Sequence, residues 1–68
     1  MCEFTVYLGK EVVYKDVIYA KVEADKVFVK DVLGASKTFE NCRIVEIDVS
    51  SERLTIASSK TIIGSLAD

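Results

Sequence analysis

The chain is short, half hydrophobic and slightly acidic: it has 68 residues, 50% of them hydrophobic, and a formal net charge of −2. This length makes one domain, and the balance of apolar and charged residues excludes an intrinsically disordered chain. The charge gives no electrostatic reason to expect nucleic acid or an anionic membrane as the partner.

The first predicted element is a strand over residues 1–8. Alternate positions hold one apolar set, namely Cys2, Phe4, Val6 and Leu8. A period of two is that of a half-buried β-strand, and the glycine that follows ends it with a turn. The Cys2 thiol therefore lies beside the chain terminus, where a soft thiolate and a backbone nitrogen fall within one chelate ring.

Residues 11–24 predict a second strand, with an interruption at Lys15-Asp16. Their many β-branched residues argue against a helix. After the interruption, Ile18, Ala20 and Val22 share one face, and a polar turn at Asp25-Lys26 follows.

Four further runs read as strands, separated by short turns: residues 27–33, 37–40, 42–49 and 54–58. In the longest of them, Glu46 and Asp48 lie on the solvent-facing side, and three apolar residues lie on the other: Val45, Ile47 and Val49. Residues 59–68 form a C-terminal tail, which is either an added strand or a turn.

Short strands with a turn every eight to twelve residues indicate an all-β fold, a small barrel or a rolled antiparallel sheet of five to seven strands. We expect a single β domain over residues 1–58. Such a sheet hides its edges by closing or by pairing with another chain. A chain this short buries only roughly 60% of its unfolded surface, which also favours an oligomer.

The inventory of reactive side chains argues against an enzyme. The chain has no histidine, so it holds no Ser-His or Cys-His pair, and its three glycines form no phosphate-binding loop. Glu46 and Asp48 resemble a catalytic pair, but we prefer to interpret them as the solvent-facing side of an amphipathic strand. Tyr7, Tyr14 and Tyr19 are read as cross-strand pairs rather than as a stacking platform.

No targeting or membrane-spanning segment is evident. No apolar run is long enough to cross a bilayer, and Glu3 stands where a signal peptide would carry basic residues. We therefore expect a cytoplasmic protein, in which two cysteines do not form a structural disulfide. Cys42, in an apolar strand, reads as a small buried hydrophobe. Taken alone, Cys2 reads as the inner face of a strand.

Several features together resemble the CooT family of small nickel-binding proteins, over Met1 to about Ser58. They are the Met-Cys start, Asp16-Val17 in the second strand, and Ile44–Val49 followed by a turn and a short apolar strand. The resemblance implies an SH3-like or Sm-like barrel, a homodimer and nickel delivery to carbon monoxide dehydrogenase. Members are also catalogued as predicted RNA-binding proteins. The nickel-binding residue of the family corresponds to Cys2.

Nickel chemistry agrees with that implication. Nickel(II) accepts a square-planar set of sulfur and nitrogen donors, and a two-fold axis brings two Cys2 thiolates together. Each chain then adds a backbone nitrogen: the amine of Cys2 if Met1 is removed, or else the Cys2 amide, with the Met1 amine as a further candidate.

The prediction is a non-enzymatic nickel(II) carrier or accessory protein, active as a homodimer on a nickel-enzyme client. The first alternative is a small Sm/SH3-like barrel that binds RNA, which should show a basic face. The second is a protein-interaction module in which Cys2 belongs to the core.

Overall fold

The computed structural model describes residues 3–59, and these form one six-stranded sheet, which confirms the predicted all-β class. The strands are β1 (Phe4–Leu8), β2 (Glu11–Glu23), β3 (Lys26–Asp31), β4 (Ser36–Glu40), β5 (Cys42–Asp48) and β6 (Arg53–Ser58). Most of the predicted tail, residues 60–68, lies outside the described residues.

The strand order in the sheet is β4-β3-β2-β1-β6-β5. Every ladder is antiparallel except the one between β1 and β6, which is parallel, so the sheet is mixed. β4 and β5 stand at opposite ends of this order, yet only Asn41 separates them in sequence. The sheet is therefore rolled, and the Cys42 N–H joins β5 to the β2–β3 turn by donating to the Asp25 carbonyl oxygen at 2.9 Å.

Strand β2 is shared by the two halves of the roll. Its first half pairs with β1 and its second half with β3. Between them Asp16 adopts a left-handed conformation (φ 60°), which aspartate tolerates better than most residues. The Asp16 carbonyl oxygen accepts a hydrogen bond from the Val32 N–H at 3.0 Å. The interruption predicted at Lys15-Asp16 is thus a bend within one strand of 13 residues.

The core is small and built mainly from aliphatic side chains. The buried residues are Val6, Val17, Val27, Val29, Cys42, Leu54 and Ile56. Full burial of one such aliphatic side chain contributes roughly 1.5–3 kcal/mol. They come from five strands, so this one cluster holds the whole roll together.

Several apolar side chains predicted for inner faces are largely exposed. The exposed fractions are 48% for Ile18, 52% for Val22, 46% for Val45, 55% for Ile47 and 64% for Val49. The strand pairing explains why two of these side chains, Ile18 and Val45, are exposed: the register shifts at Ile18 in β2 and at Val45 in β5. Such a shift turns the strand and moves its alternating faces.

Strand β3 ends at Asp31, two residues earlier than predicted. The Asp31 Oδ1 atom accepts hydrogen bonds from the backbone N–H groups of Leu33 (2.9 Å) and Ala35 (3.0 Å). The Tyr14 hydroxyl donates to Oδ2 at 2.9 Å. A side chain that binds the following backbone amides favours a turn over a continuing strand.

The Asp31 carboxylate also gives the fold a dependence on pH. Desolvation raises its pKa, but the hydrogen bonds from Tyr14, Leu33 and Ala35 outweigh that effect and hold the pKa below its usual value. A lowered pKa in the folded state stabilises the fold above the pKa of the unfolded chain, about 3.9. That contribution is lost as the pH falls through the lower, folded-state pKa.

We therefore expect Asp31→Asn to lower the melting temperature at pH 7, with the gap closing as the pH falls below about 4. Thermal unfolding followed by circular dichroism over a pH series measures this. Tyr14→Phe removes one of the three hydrogen bonds and should lower the melting temperature by less. A gap between Asp31→Asn and the parent that is constant over the whole pH range would contradict the role assigned to the carboxylate.

Candidate metal centre

The predicted ligands Cys2 and Met1 lie outside the described residues, but the strand that leads to them is well defined. β1 is an inner strand with partners on both sides, β2 and β6. Phe4 stands opposite Val17, and the Thr5 N–H donates to the Glu52 carbonyl oxygen at 2.9 Å. The backbone is therefore held on both sides within three residues of Cys2.

A shallow apolar groove adjoins this start of β1. We call it the β1 groove; it encloses about 180 Å³ and is lined by Phe4, Val17, Ile18, Tyr19, Ala20, Ile47 and Leu54. Of these, Ile18, Tyr19 and Ile47 are each about half exposed. A continuous apolar surface of this kind favours contact with another protein surface.

Cys42, the one cysteine among the described residues, is a free thiol and only 8% exposed, as predicted for a small buried hydrophobe. It begins β5 opposite Ser58, at the far end of β6 from Arg53, which pairs with Thr5. Ser58 lies five residues beyond Arg53 along β6, which corresponds to about 16 Å. The fold thus keeps Cys42 away from Thr5, near the start of β1.

Residues 3–59 contain no group of three or more histidine, cysteine, aspartate or glutamate side chains placed to hold a metal ion.

In the same part of the chain, no helix has the length and apolar character needed to cross a membrane.

The carboxylate pair weighed in the sequence has a structural role. Asp48 Oδ1 accepts hydrogen bonds from the Ser51 N–H (3.2 Å) and the Ser50 hydroxyl (3.0 Å). The Ser51 N–H is the main cause of the lowered pKa of Asp48. Arg53 lies 3.8 Å from the same carboxylate, and Glu46 is exposed opposite Thr55. Asp48 therefore stabilises the β5–β6 turn.

The three tyrosines do not form one platform. The Tyr14 hydroxyl binds Asp31, while Tyr7 stands opposite Val12 and is half-buried in β1. Tyr19 instead packs against Phe28, with ring centroids 6.2 Å apart and an interplanar angle of 73°. This is a cross-strand contact of the kind predicted for Tyr19, but the sequence did not identify Phe28 as its partner.

The comparisons with known proteins give one result. A family model described as CO dehydrogenase accessory protein CooT matches residues 1–57. That span includes Met1, Cys2 and nearly all of the six strands. No curated protein and no solved structure matches the chain.

Cys42→Ala should lower the free energy of unfolding by about 1 kcal/mol, because a small buried group is lost from the core. Urea unfolding followed by circular dichroism measures this. Cys42→Ser should cost more than Cys42→Ala, since it places a hydroxyl in an apolar site. Equal stability of all three proteins would show that Cys42 does not contribute to the core.

Proposed function

This chain belongs to the CooT family of CO dehydrogenase accessory proteins. We propose that it is a cytoplasmic nickel(II) carrier, which holds the metal ion at the interface between two copies of the chain. The family is one of accessory proteins rather than of enzymes, and its client, CO dehydrogenase, is a nickel enzyme. The match over residues 1–57, which includes Cys2, is the observation that carries the proposal.

The donor set follows from the chemistry of Cys2. One thiolate holds a metal ion weakly, but two thiolates and two backbone nitrogens make the square-planar set that nickel(II) accepts. Each copy supplies one nitrogen: the Cys2 amine if Met1 is removed, or the Cys2 amide where Met1 is retained, with the Met1 amine as a further candidate. A chain without histidine can supply this set from the same two residues of each copy.

Support for the dimer comes from the surface next to β1. The β1 groove adjoins the strand that leads to Cys2, and half-exposed Ile18 and Ile47 line it. Pairing of two grooves across a two-fold axis buries these side chains and brings the two chain starts together. Val45 and Val49, on and just beyond the edge strand β5, are further exposed apolar side chains (46% and 64%).

A site of this kind suits a carrier. Both thiols must lose their protons before they ligate, so binding of nickel is coupled to pH. The ligands belong to two chains, so the affinity also depends on how strongly the chains associate. Either protonation or contact with the client can therefore favour release of the metal.

Cys2→Ser should abolish tight nickel binding, because a neutral hydroxyl is neither soft nor deprotonated and the dimer loses both sulfurs at once. Anaerobic titration of metal-free protein, followed by absorbance and native mass, should give one nickel per dimer for the parent and none for the variant. Nickel affinity of the parent should fall as the pH is lowered.

Cys42→Ala is the control for this experiment, since it removes the other thiol and should retain one nickel per dimer. Circular dichroism should show that Cys2→Ser remains folded. Nickel binding by Cys2→Ser as tight as in the parent, or loss of the metal in Cys42→Ala, would refute the site.

Ile47→Glu should shift the protein from dimer to monomer and weaken nickel binding, because a charge is buried twice across the two-fold axis. Val22→Glu is a matched control: Val22 is 52% exposed, against 55% for Ile47, but does not line the β1 groove. Sedimentation equilibrium with and without nickel measures the effect. A dimer unaffected by Ile47→Glu would place the interface elsewhere.

A further inference from the structure

Strands β2, β3 and β4 present a polar sheet surface on the side away from the core, which we call the outer face. The strand register places its residues in rows across the three strands. The first two rows hold two aromatic rings, two lysines and two hydroxyls: Tyr19, Lys30 and Ser36, then Lys21, Phe28 and Thr38. A shallow depression of about 540 Å³ lies over this surface.

Rings and ammonium groups alternate on the outer face. Tyr19 and Phe28 occupy one diagonal of a cross-strand square, in edge-to-face contact, and Lys21 and Lys30 occupy the other. The Lys30 Nζ atom lies 5.6 Å from the centre of the Tyr19 ring, within the range of a cation–π contact. Partly exposed aromatic rings are enriched as anchors in protein–protein interfaces, and the charged side chains around them are suited to the polar rim.

The third row limits the kind of partner. Here Lys26 stands between Glu23 and Glu40 on the neighbouring strands, and Lys21 Nζ lies 3.7 Å from Glu23 Oε1. A single-stranded nucleic acid needs a continuous basic track along its backbone, which these carboxylates interrupt. A protein segment that places a few carboxylates against Lys21 and Lys30 and an apolar side chain on the rings fits the face better.

The proposed dimer leaves this surface free except at its border, Tyr19. Ala20 of β2 stands opposite buried Val29 and so faces the core side, whereas Lys21 stands opposite Phe28 and faces outward. The β1 groove and the outer face thus lie on opposite sides of β2, and Tyr19 borders both.

We infer that the outer face docks an acidic segment of the client, nickel-free CO dehydrogenase, with an aromatic or aliphatic side chain of the client against Phe28. This inference rests on the proposed function, because it names the surface through which the carrier meets the enzyme. The nickel-binding residues and the docking residues are then separate, so each can be altered without the other.

Calorimetric titration of the nickel-loaded protein into purified nickel-free CO dehydrogenase from the same organism tests the inference. Lys30→Glu should weaken binding roughly tenfold, because one attraction is lost and one repulsion gained. Lys10→Glu changes the net charge equally but lies in the β1–β2 turn, outside the outer face, and should leave the affinity unchanged. Glu40→Gln should strengthen binding, a gain that misfolding cannot produce.

Nickel stoichiometry, measured on each variant, should stay at one per dimer and separates failure of docking from failure of the nickel site. Equal effects of Lys30→Glu and Lys10→Glu, or no binding to the enzyme by the parent, would overturn the inference. Submicromolar binding of a single-stranded RNA oligonucleotide at physiological salt, lost in Lys30→Glu, would assign the face to nucleic acid instead.

Discussion

The two-sided hydrogen bonding of β1 is the constraint on which the rest of the structure depends. β1 pairs with β2 in an antiparallel ladder and with β6 in a parallel one, so it joins the two halves of the roll. Val6 in its middle is fully buried against the residues of both halves. The strand that follows Cys2 in sequence is thus hydrogen-bonded on both sides and anchored in the core by Val6.

The small size of the chain explains why several apolar side chains remain on its surface. A single rolled sheet has few inner positions, so Ile18, Ile47 and Val49 remain outside although their residue types favour burial. In the dimer that we propose, association of two copies would bury Ile18 and Ile47. The bend at Asp16 directs the second half of β2 so that its outward residues join those of β3 and β4 in a separate, polar surface.

Local patterns predicted the strands but not how they pair. Alternation located β1, the turns on either side located β4, and the buried position of Cys42 followed from the apolar run around it. The parallel ladder of β1 with β6 joins segments nearly fifty residues apart, and no local pattern encodes it. The turn at Asp31 is made by the Leu33 and Ala35 amides, with Tyr14, 17 residues away, holding the same carboxylate; the apolar Val32 and Leu33 instead suggested a longer β3. Cys2 drew attention only through the family resemblance, since its alternation alone favours a core position.

The central claim is that nickel is held by thiolates of two chains, and X-ray absorption at the nickel edge of the metal-loaded protein tests it most directly. The account predicts the spectrum of four-coordinate, square-planar nickel with two sulfur and two nitrogen neighbours, where the sulfurs are the Cys2 thiolates of the two chains. A six-coordinate shell of oxygen and nitrogen atoms without sulfur would contradict it.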